Sequence, residues 1–323
     1  MLRCGQTTID LNKLSDNALA ITRILVDESQ VYKNRCLALL DPFLTPIDEP
    51  FMKYFHNQLR LYKVPISHPS VLKTKCPWLI ELDLRDKYEQ AVLSFMLDRA
   101  LKQLAPQSIA VGTGQQYCAW LFTHKKTESI AKDLGLRTIQ KRGRDKNILL
   151  RYYDPAVFFQ LMSILDSNQQ NKLLGNIEKW AMLTRQGTLN IKQQIEPVQF
   201  SLMGSLWITT DQHQKLDCIG INNQIIRSEQ IKHPAKNIDE IQSLQKITPC
   251  LIRLMNNNIH EKELKLEWAK LALKWGHDFD CHPKIESKIK QCTDLGKYYR
   301  LLGELNKIRS DNWQIYLQEL NEK

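Results

Sequence analysis

Residues 147–183 read NILLRYYDPAVFFQLMSILDSNQQNKLLGNIEKWAML, and this stretch decides the fold of the chain around it. Apolar residues 148–150 predict a strand, which runs into the sequence RYYDP at 151–155. Beyond it, apolar side chains recur three and four residues apart, the spacing of one buried helical face; they are Val157, Phe158, Leu161, Met162 and Leu165. The stretch therefore predicts a strand, a turn and an amphipathic helix.

Cap residues define the ends of the helices in this stretch. Asp154 stands at the N-cap position and Pro155 at the first helical position, where the missing N–H of proline costs nothing. Asp166 opens a second short helix, which is predicted to end near Gly175. The pattern is typical of a scaffold and contains no nucleophile, metal cage or phosphate loop.

Strands and helices alternate upstream of this stretch. Predicted strands cover 36–41, 78–82 and 108–111, and predicted helices cover 51–62, 88–104 and 127–134, the last ending at Gly135. Segments 136–141 and 148–153 flank a basic loop and predict a β-hairpin. The alternation predicts an α/β fold (mixed α+β), with a layered α/β N-terminal lobe that carries a β-hairpin extension.

The pattern changes after Trp180. Segments 205–210 and 215–221 predict a further hairpin, at about 205–222, and helical periodicity dominates from residue 238 onward. We place a domain boundary between Ser228 and Asn237, where His233-Pro234 interrupts the chain. The predicted domains are an α/β lobe at 1–232 and an α-helical C-terminal lobe at 233–323.

The composition is that of a soluble globular protein. Of 323 residues, 43% are hydrophobic and 25% charged, and no run of about 18 apolar residues predicts a membrane span. The first residues lack the apolar core of a signal peptide. Eight dispersed cysteines without a CxxC pair indicate reduced thiols in the cytosol. We therefore expect a cytoplasmic protein.

The net charge of +10 is concentrated between residues 125 and 151, where nine Lys and Arg residues face three Asp and Glu residues. A basic cluster is one requirement of a nucleic-acid-binding protein, which is the alternative function. No aromatic residue suited to base stacking lies between Phe122 and Tyr152. Docking of an acidic protein explains the cluster as well or better.

Catalytic and metal-binding patterns are weak. His277, Cys281 and His282 place three metal-capable side chains within six residues, but no second pair accompanies them, so a polar loop is favoured over a metal-dependent enzyme. No GxSxG motif occurs, and no cysteine has a histidine in a suggestive setting. We expect no catalytic residue, metal or cofactor. Four tryptophans lie in apolar segments and are predicted to be core residues: Trp78, Trp120, Trp180 and Trp207. An exposed tryptophan would instead anchor a protein partner.

Taken together, these residues resemble the type VI secretion adaptor proteins, the Tap/TEC effector chaperones that carry domain of unknown function 4123. The similarity covers about residues 36–182. Four segments carry the resemblance. They are the apolar strand that ends at Asp41, the residues Pro77-Trp78 at the start of the second strand, a loosely similar run at 108–122, and the block from RYYDP to Gly175 and Trp180.

The resemblance implies a non-catalytic cytoplasmic adaptor that binds a toxic effector and loads it onto the VgrG spike protein. It implies no small-molecule substrate and no membrane partner. Candidate partner-binding residues are Arg142, Arg144, Arg151 and Tyr152. The residues expected to be structural are Asp41, Pro77, Trp78, Tyr153, Asp154, Pro155, Gly175 and Trp180.

Overall fold

A computed structural model describes residues 2–4, 7–43, 49, 51–112, 114–142, 146–195, 206–234, 238–309, 312–313 and 315. The chain divides into two compact units, Met1–Ile208 and Thr209–Lys323. The division lies earlier than the predicted boundary between Ser228 and Asn237.

The first unit is built on a six-stranded antiparallel sheet. Its strand order is β10-β9-β6-β3-β5-β4. The strands are β3 (Arg35–Leu40), β4 (Leu61–Lys63), β5 (Trp78–Asp83), β6 (Tyr117–Phe122), β9 (Lys179–Leu183) and β10 (Leu189–Gln193). Two separate ribbons accompany the sheet: β1 (Leu2–Cys4) pairs with β2 (Thr7–Ile9), and β7 (Ile139–Arg142) pairs with β8 (Lys146–Leu149). The second ribbon confirms the hairpin predicted around the basic loop.

Seven helices belong to the same unit in the described part of the chain. They are α1 (Asp16–Ser29), α2 (Phe51–Asn57), α3 (Lys87–Gln103), α4 (Pro106–Val111), α5 (Thr127–Arg137), α6 (Pro155–Ile164) and α7 (Ser167–Leu174). Helices α1 and α3 pack against each other and share a core with one face of the sheet. Ala181 of β9 belongs to this core, so its neighbour Trp180 points to the opposite face, where it meets Phe158 of α6. The predicted layered α/β lobe is confirmed.

The strand predicted at residues 108–111 is wrong, because these residues lie in α4. Pro106 occupies the first turn of that helix, and Gly112 ends it with a φ of +79°. The strand that the structure forms in place of the predicted one is β6, in which all six residues are buried. A fully buried central strand has no polar alternation, which is why periodicity alone did not identify it.

Gly135 does not end α5, which continues to Arg137. A Cβ atom at position 135 would lie 2.1 Å from the carbonyl oxygen of Pro65. The glycine therefore permits a close approach between the helix and a neighbouring backbone, rather than a turn.

Gly135→Ala is expected to lower the free energy of unfolding by about 1–3 kcal/mol, because backbone atoms must move to admit the methyl group. Gly303→Ala, in a helix of the second unit, is the matched control, since a Cβ there meets nothing within 4 Å. That control is expected to be neutral or to stabilise by about 0.5–1 kcal/mol. Urea denaturation measures both, and equal midpoints for the two variants would contradict the close approach.

The second unit is helical, which confirms the predicted character of the C-terminal lobe. Its helices are α8 (Thr210–Lys232), α9 (Glu240–Asn256), α10 (Lys262–Trp275), α11 (Pro283–Lys290) and α12 (Leu295–Asn306). Buried side chains of α8, α9 and α10 form one cluster, and α9 to α12 contribute to another. Among the described residues, none of the helices combines the length and the apolar content needed to cross a membrane.

The hairpin predicted at about 205–222 is wrong, because most of this range lies in the 23-residue helix α8. Thr209 caps the helix: its side chain accepts a hydrogen bond from the N–H of Gln212, and the side chain of Gln212 bonds back to Thr209. Cys218, Ile221 and Ile225 are buried at helical spacing. The short apolar run is compatible with the period of a strand and with that of a helix. Burial against α9 and α10 favours the helix.

Candidate partner-binding surface

Asp41 and Arg151, two residues singled out from the sequence, form an ion pair between segments 110 residues apart. Asp41 follows β3, and Arg151 lies just before α6. The Nε of Arg151 donates a hydrogen bond to the Oη of Tyr153 over 3.3 Å, and its guanidinium carbon lies 4.3 Å from the centre of the Phe43 ring. The side chain of Asp41 is 5% exposed and that of Arg151 24%. Arg151 is therefore an ion-pair partner within the fold.

Burial governs the electrostatics of this cluster. It raises the pKa of Asp41, and the positive charge of Arg151 partly offsets the rise. Burial also acts to lower the pKa of Arg151, but Asp41, Tyr153 and Asp154 together outweigh it and the pKa rises. The pKa of Tyr153 is raised by burial, so its phenol stays neutral and can accept the hydrogen bond. The guanidinium is thus what makes an ionised Asp41 tolerable in this position.

Tyr152, predicted to bind a partner, is a core residue. Its side chain is fully buried, and its ring centre lies 5.7 Å from that of Trp180. A buried ring cannot contact another protein, so the prediction for Tyr152 is wrong. Asp154 accepts a hydrogen bond from the N–H of Ala156 over 3.0 Å, and Pro155 is the first residue of α6. Both cap predictions are confirmed.

Pro77, Trp78 and Gly175, three more of the residues expected to be structural, also lie among groups of the fold. Pro77 is buried just before β5, and Trp78 begins that strand with the Nζ of Lys63 lying 5.7 Å from its ring centre. Gly175 ends α7 with a φ of +62°, and a Cβ there would lie 2.5 Å from the Nε of Arg137. These residues support the scaffold rather than a binding site.

Several cations of the basic cluster at 125–151 form hydrogen bonds or ion pairs within the first unit. Arg137 donates a hydrogen bond to a backbone carbonyl of α7, and Lys132 pairs with Glu128 over 2.8 Å. Arg151 is paired with an aspartate, as described above. Three of the nine cations in the cluster therefore already interact with other groups of the first unit.

The other predicted contact residues lie on the β7–β8 hairpin. Arg142 is half-buried at the end of β7, and Lys141 beside it is exposed. Arg144 lies outside the described residues. The structure thus brings Arg151 together with Asp41 and Tyr153, and leaves Arg142 on a separate element.

Among the described residues, which include His277, Cys281 and His282, no three His, Cys, Asp or Glu side chains are grouped so that they could hold a metal ion. The Nδ1 of His282 accepts a hydrogen bond from an N–H in the first turn of α11, so this residue is a helix cap. Asp280, between the candidates, pairs with Arg253. The segment is a structural connection between helices.

Trp207 was predicted to be a core residue, and this prediction is wrong. Its side chain is 70% exposed, although the preceding Leu206 is buried. The N–H of Leu206 donates to the Oε1 of Gln140 over 3.0 Å, and the Nε2 of Gln169 donates to the carbonyls of Leu206 and Trp207, each over 3.1 Å. These partners lie 66 and 37 residues away from Leu206 in the sequence, so no local signal marks the position.

A cavity of about 310 Å³ lies at the end of the sheet where β3 begins and β5 ends. Its charged groups have partners close by. Arg85 pairs with Asp83 over 2.6 Å, and the Nδ1 of His124 lies 2.9 Å from a carboxylate oxygen of Glu178. Arg35 donates to two backbone carbonyls. The cavity is therefore lined by charged groups that are mostly engaged with one another or with the backbone.

The family comparison bears on the first unit. Residues 37–172 match the family model described as Domain of unknown function (DUF4123). The DUF4123 match begins in β3, ends in α7, and contains Asp41, Trp78 and the sequence RYYDP. No curated protein and no solved structure is significantly similar to the chain.

Proposed function

We propose that this chain is a non-catalytic adaptor, or effector chaperone, of a bacterial type VI secretion system. It binds a toxic effector in the cytoplasm and loads it onto the VgrG spike protein, without a cofactor. The observation that carries the proposal is the DUF4123 match, because the matched residues include most of those that resemble the adaptor family, among them Asp41, Trp78 and the sequence RYYDP.

The surroundings of the signature residues support a holding role. Arg151 and Asp41 form an ion pair, and Arg151 also donates a hydrogen bond to the phenol of Tyr153. These contacts connect the turn before α6 to the end of β3. Charged side chains that neutralise each other in a partly buried site serve the geometry of the fold. A scaffold of this kind presents a fixed surface to other proteins, which lowers the entropy lost when they bind.

Co-expression of the tagged protein with the effector and the VgrG encoded beside it is expected to give a complex that survives affinity purification and size-exclusion chromatography. An effector and VgrG from an unrelated cluster serve as the control and are expected to be lost in the wash. Retention of neither cognate protein would contradict the adaptor function.

The same complex tests the absence of catalysis. Because an adaptor holds its cargo without changing it, the intact mass of the effector released from the complex is expected to equal that of the effector expressed alone. A change in mass that requires this chain would show that it is an enzyme.

A further inference from the structure

We propose that strand β10, at one edge of the six-stranded sheet, is the docking site for an extended segment of a partner protein, which adds to the sheet as a further strand. The segment carries apolar side chains on one face and a carboxylate on the other. This inference rests on the proposed function, because it assigns a surface and a binding mode to one of the protein–protein contacts that an adaptor makes. The occupant is a different protein and not a second copy of the chain.

Strand β10 has a single neighbour in the sheet, β9, so its other edge is unpaired in the described part of the chain. Hydrogen bonds just beyond both ends of the strand fix the direction of its backbone groups. The N–H of Gln194 donates to the carbonyl of Glu178, and the carbonyl of Thr188 accepts from the N–H of Thr184, each over 2.9 Å. The even-numbered residues of β10 therefore bond to β9, because bonded and non-bonded pairs alternate along an antiparallel ladder.

The odd-numbered residues direct their N–H and C=O groups away from β9; they are Leu189, Ile191 and Gln193. None of these groups has a hydrogen-bond partner in the described part of the chain. The unpaired edge ends there, because the N–H of Ile195 donates to the Oδ1 of Asn171 over 3.2 Å. Outward residues follow one another about 6.8 Å apart, a spacing at which the backbone of another strand repeats its own donors and acceptors.

The opposite edge of the sheet is less suited to strand addition. Strand β4 has three residues against five in β10. Only Leu61 and Lys63 point outward there, because the N–H of Val64 donates to the carbonyl of Pro77 over 2.8 Å. A very short edge strand is one of the features by which proteins prevent pairing with other chains.

The side chains of β10 specify the partner segment. Leu189 and Ile191 are partly buried and pack against the core that α1 and α3 share with the sheet. Apolar side chains of an added strand extend this core on the same face. Asn190 and Lys192 lie on the other face, and Lys192 has no ion-pair partner among the described residues. A carboxylate opposite Lys192 forms a favourable cross-strand pair.

A second copy of the chain fits this edge poorly. The antiparallel self-pairing that uses all three outward residues is centred on Ile191. It places the two copies of Lys192 at diagonal positions on one face, about 7–8 Å apart. Since Lys192 has no ion-pair partner in the part of the chain that the structure describes, the two ammonium groups repel each other. A different protein that carries a carboxylate is therefore the favoured occupant.

The test uses the full-length protein, with the cognate effector and the cognate VgrG as separate probes in a binding titration. Ile191→Pro replaces an outward N–H by a ring carbon and leaves the bonds to β9 in place, so it is expected to raise the Kd for one probe by at least about tenfold. Ile191→Ala keeps the N–H and is expected to have a smaller effect. Leu61→Pro is the matched control, because Leu61 is also apolar, partly buried and outward at an edge. It is expected to change neither Kd by more than about twofold.

A second proline variant keeps the proposal testable if Ile191→Pro does not fold. The side chain of Gln193 is exposed, so Gln193→Pro removes little besides the outward N–H. We expect it to raise the Kd of the same probe by about threefold or more, while Gln193→Ala binds as the wild type does. Equal binding by Gln193→Pro and Gln193→Ala would contradict the proposal.

Amide hydrogen exchange resolved to single residues gives an independent readout. In the free protein, the outward N–H groups of Leu189, Ile191 and Gln193 are expected to exchange faster than those of Asn190 and Lys192, which are bonded to β9. In the complex, the three outward groups are expected to become protected. Fast exchange of all three in the complex would exclude strand addition.

The charge is tested separately. Lys192→Gln is expected to weaken binding of the same probe by about threefold and to reduce the dependence of its Kd on salt. An unchanged Kd with an unchanged salt dependence would remove the carboxylate from the proposal.

Each other result has a defined meaning. If wild-type protein binds neither probe, the proposed function fails and this inference falls with it. If a probe binds wild type and both proline variants of β10 equally, the inference alone is overturned. It is also overturned if Leu61→Pro weakens binding as much as Ile191→Pro. Protection of the outward groups in the protein alone would likewise overturn it, since the edge is then covered by this chain or by a second copy.

Discussion

Trp180→Ala is expected to lower the free energy of unfolding by about 3–5 kcal/mol. Trp180 is buried in β9, and its indole stacks on Phe158 of α6 with ring centres 4.7 Å apart and planes 10° from parallel. Tyr152 lies against the same indole. Truncation leaves a cavity between the sheet and α6 that rigid neighbours cannot fill, so both the lost contacts and the cavity contribute.

Urea denaturation followed by far-ultraviolet circular dichroism measures this loss. Trp180→Phe keeps an aromatic ring against Phe158 and is expected to lose less. Trp207→Ala removes the same side chain from an exposed position, and we expect a change within about 0.5 kcal/mol. Amide hydrogen exchange in β9 and α6 is expected to accelerate in Trp180→Ala alone. Equal urea midpoints for Trp180→Ala and Trp207→Ala would contradict the assignment of Trp180 to the core.

Arg151→Met is expected to destabilise the protein by roughly 3–5 kcal/mol near neutral pH. The substitution keeps much of the apolar stem but removes the guanidinium that faces Asp41. The carboxylate is then left buried, with the N–H of Phe43 as its described hydrogen-bond donor, at 2.9 Å. An uncompensated buried charge costs more than the lost attraction itself.

The loss is expected to depend on pH in a defined direction. Burial already raises the pKa of Asp41, and Arg151 opposes that rise, so the pKa rises further in Arg151→Met. An acid whose pKa is higher in the folded than in the unfolded state binds more protons when folded, so lowering the pH stabilises the folded state. The difference in stability between wild type and variant is therefore expected to be largest at pH 8 and to shrink as the pH falls through the raised pKa of Asp41.

The double variant Asp41→Asn/Arg151→Met separates charge from packing. Asparagine retains the oxygen that accepts from Phe43 and carries no charge, so this variant is expected to recover much of the lost stability and to lose the extra pH dependence. Urea midpoints at pH 8 and pH 5 measure both effects. An Arg151→Met protein with a wild-type midpoint at pH 8 would mean that Asp41 is hydrated rather than buried.

Local chemistry was enough to predict the elements whose ends carry their own signals. Asp154 and Pro155 start α6, and Asp166 starts α7 with a reciprocal cap from Gln169. These bonds join residues two or three positions apart, so a short segment contains both partners. Strands β3 and β5 were predicted from short apolar runs and helix α3 from helical periodicity, which are also local signals.

Distant partners decided the rest. Residues 179–183 become a strand because β6 and β10 pair with them, and residues 210–232 become a helix because α9 and α10 bury one of its faces. The ion pair of Asp41 with Arg151 is likewise a contact between remote segments.

By itself, the sequence determined the layered α/β character of the first unit, the helical character of the second, and the caps of α6 and α7. Only the tertiary structure decided that Arg151 and Tyr152 turn into the fold while Trp207 turns out of it. The physical reason is that exposure depends on what packs around a residue, and for Trp207 the groups that hold it, Gln140 and Gln169, come from β7 and α7.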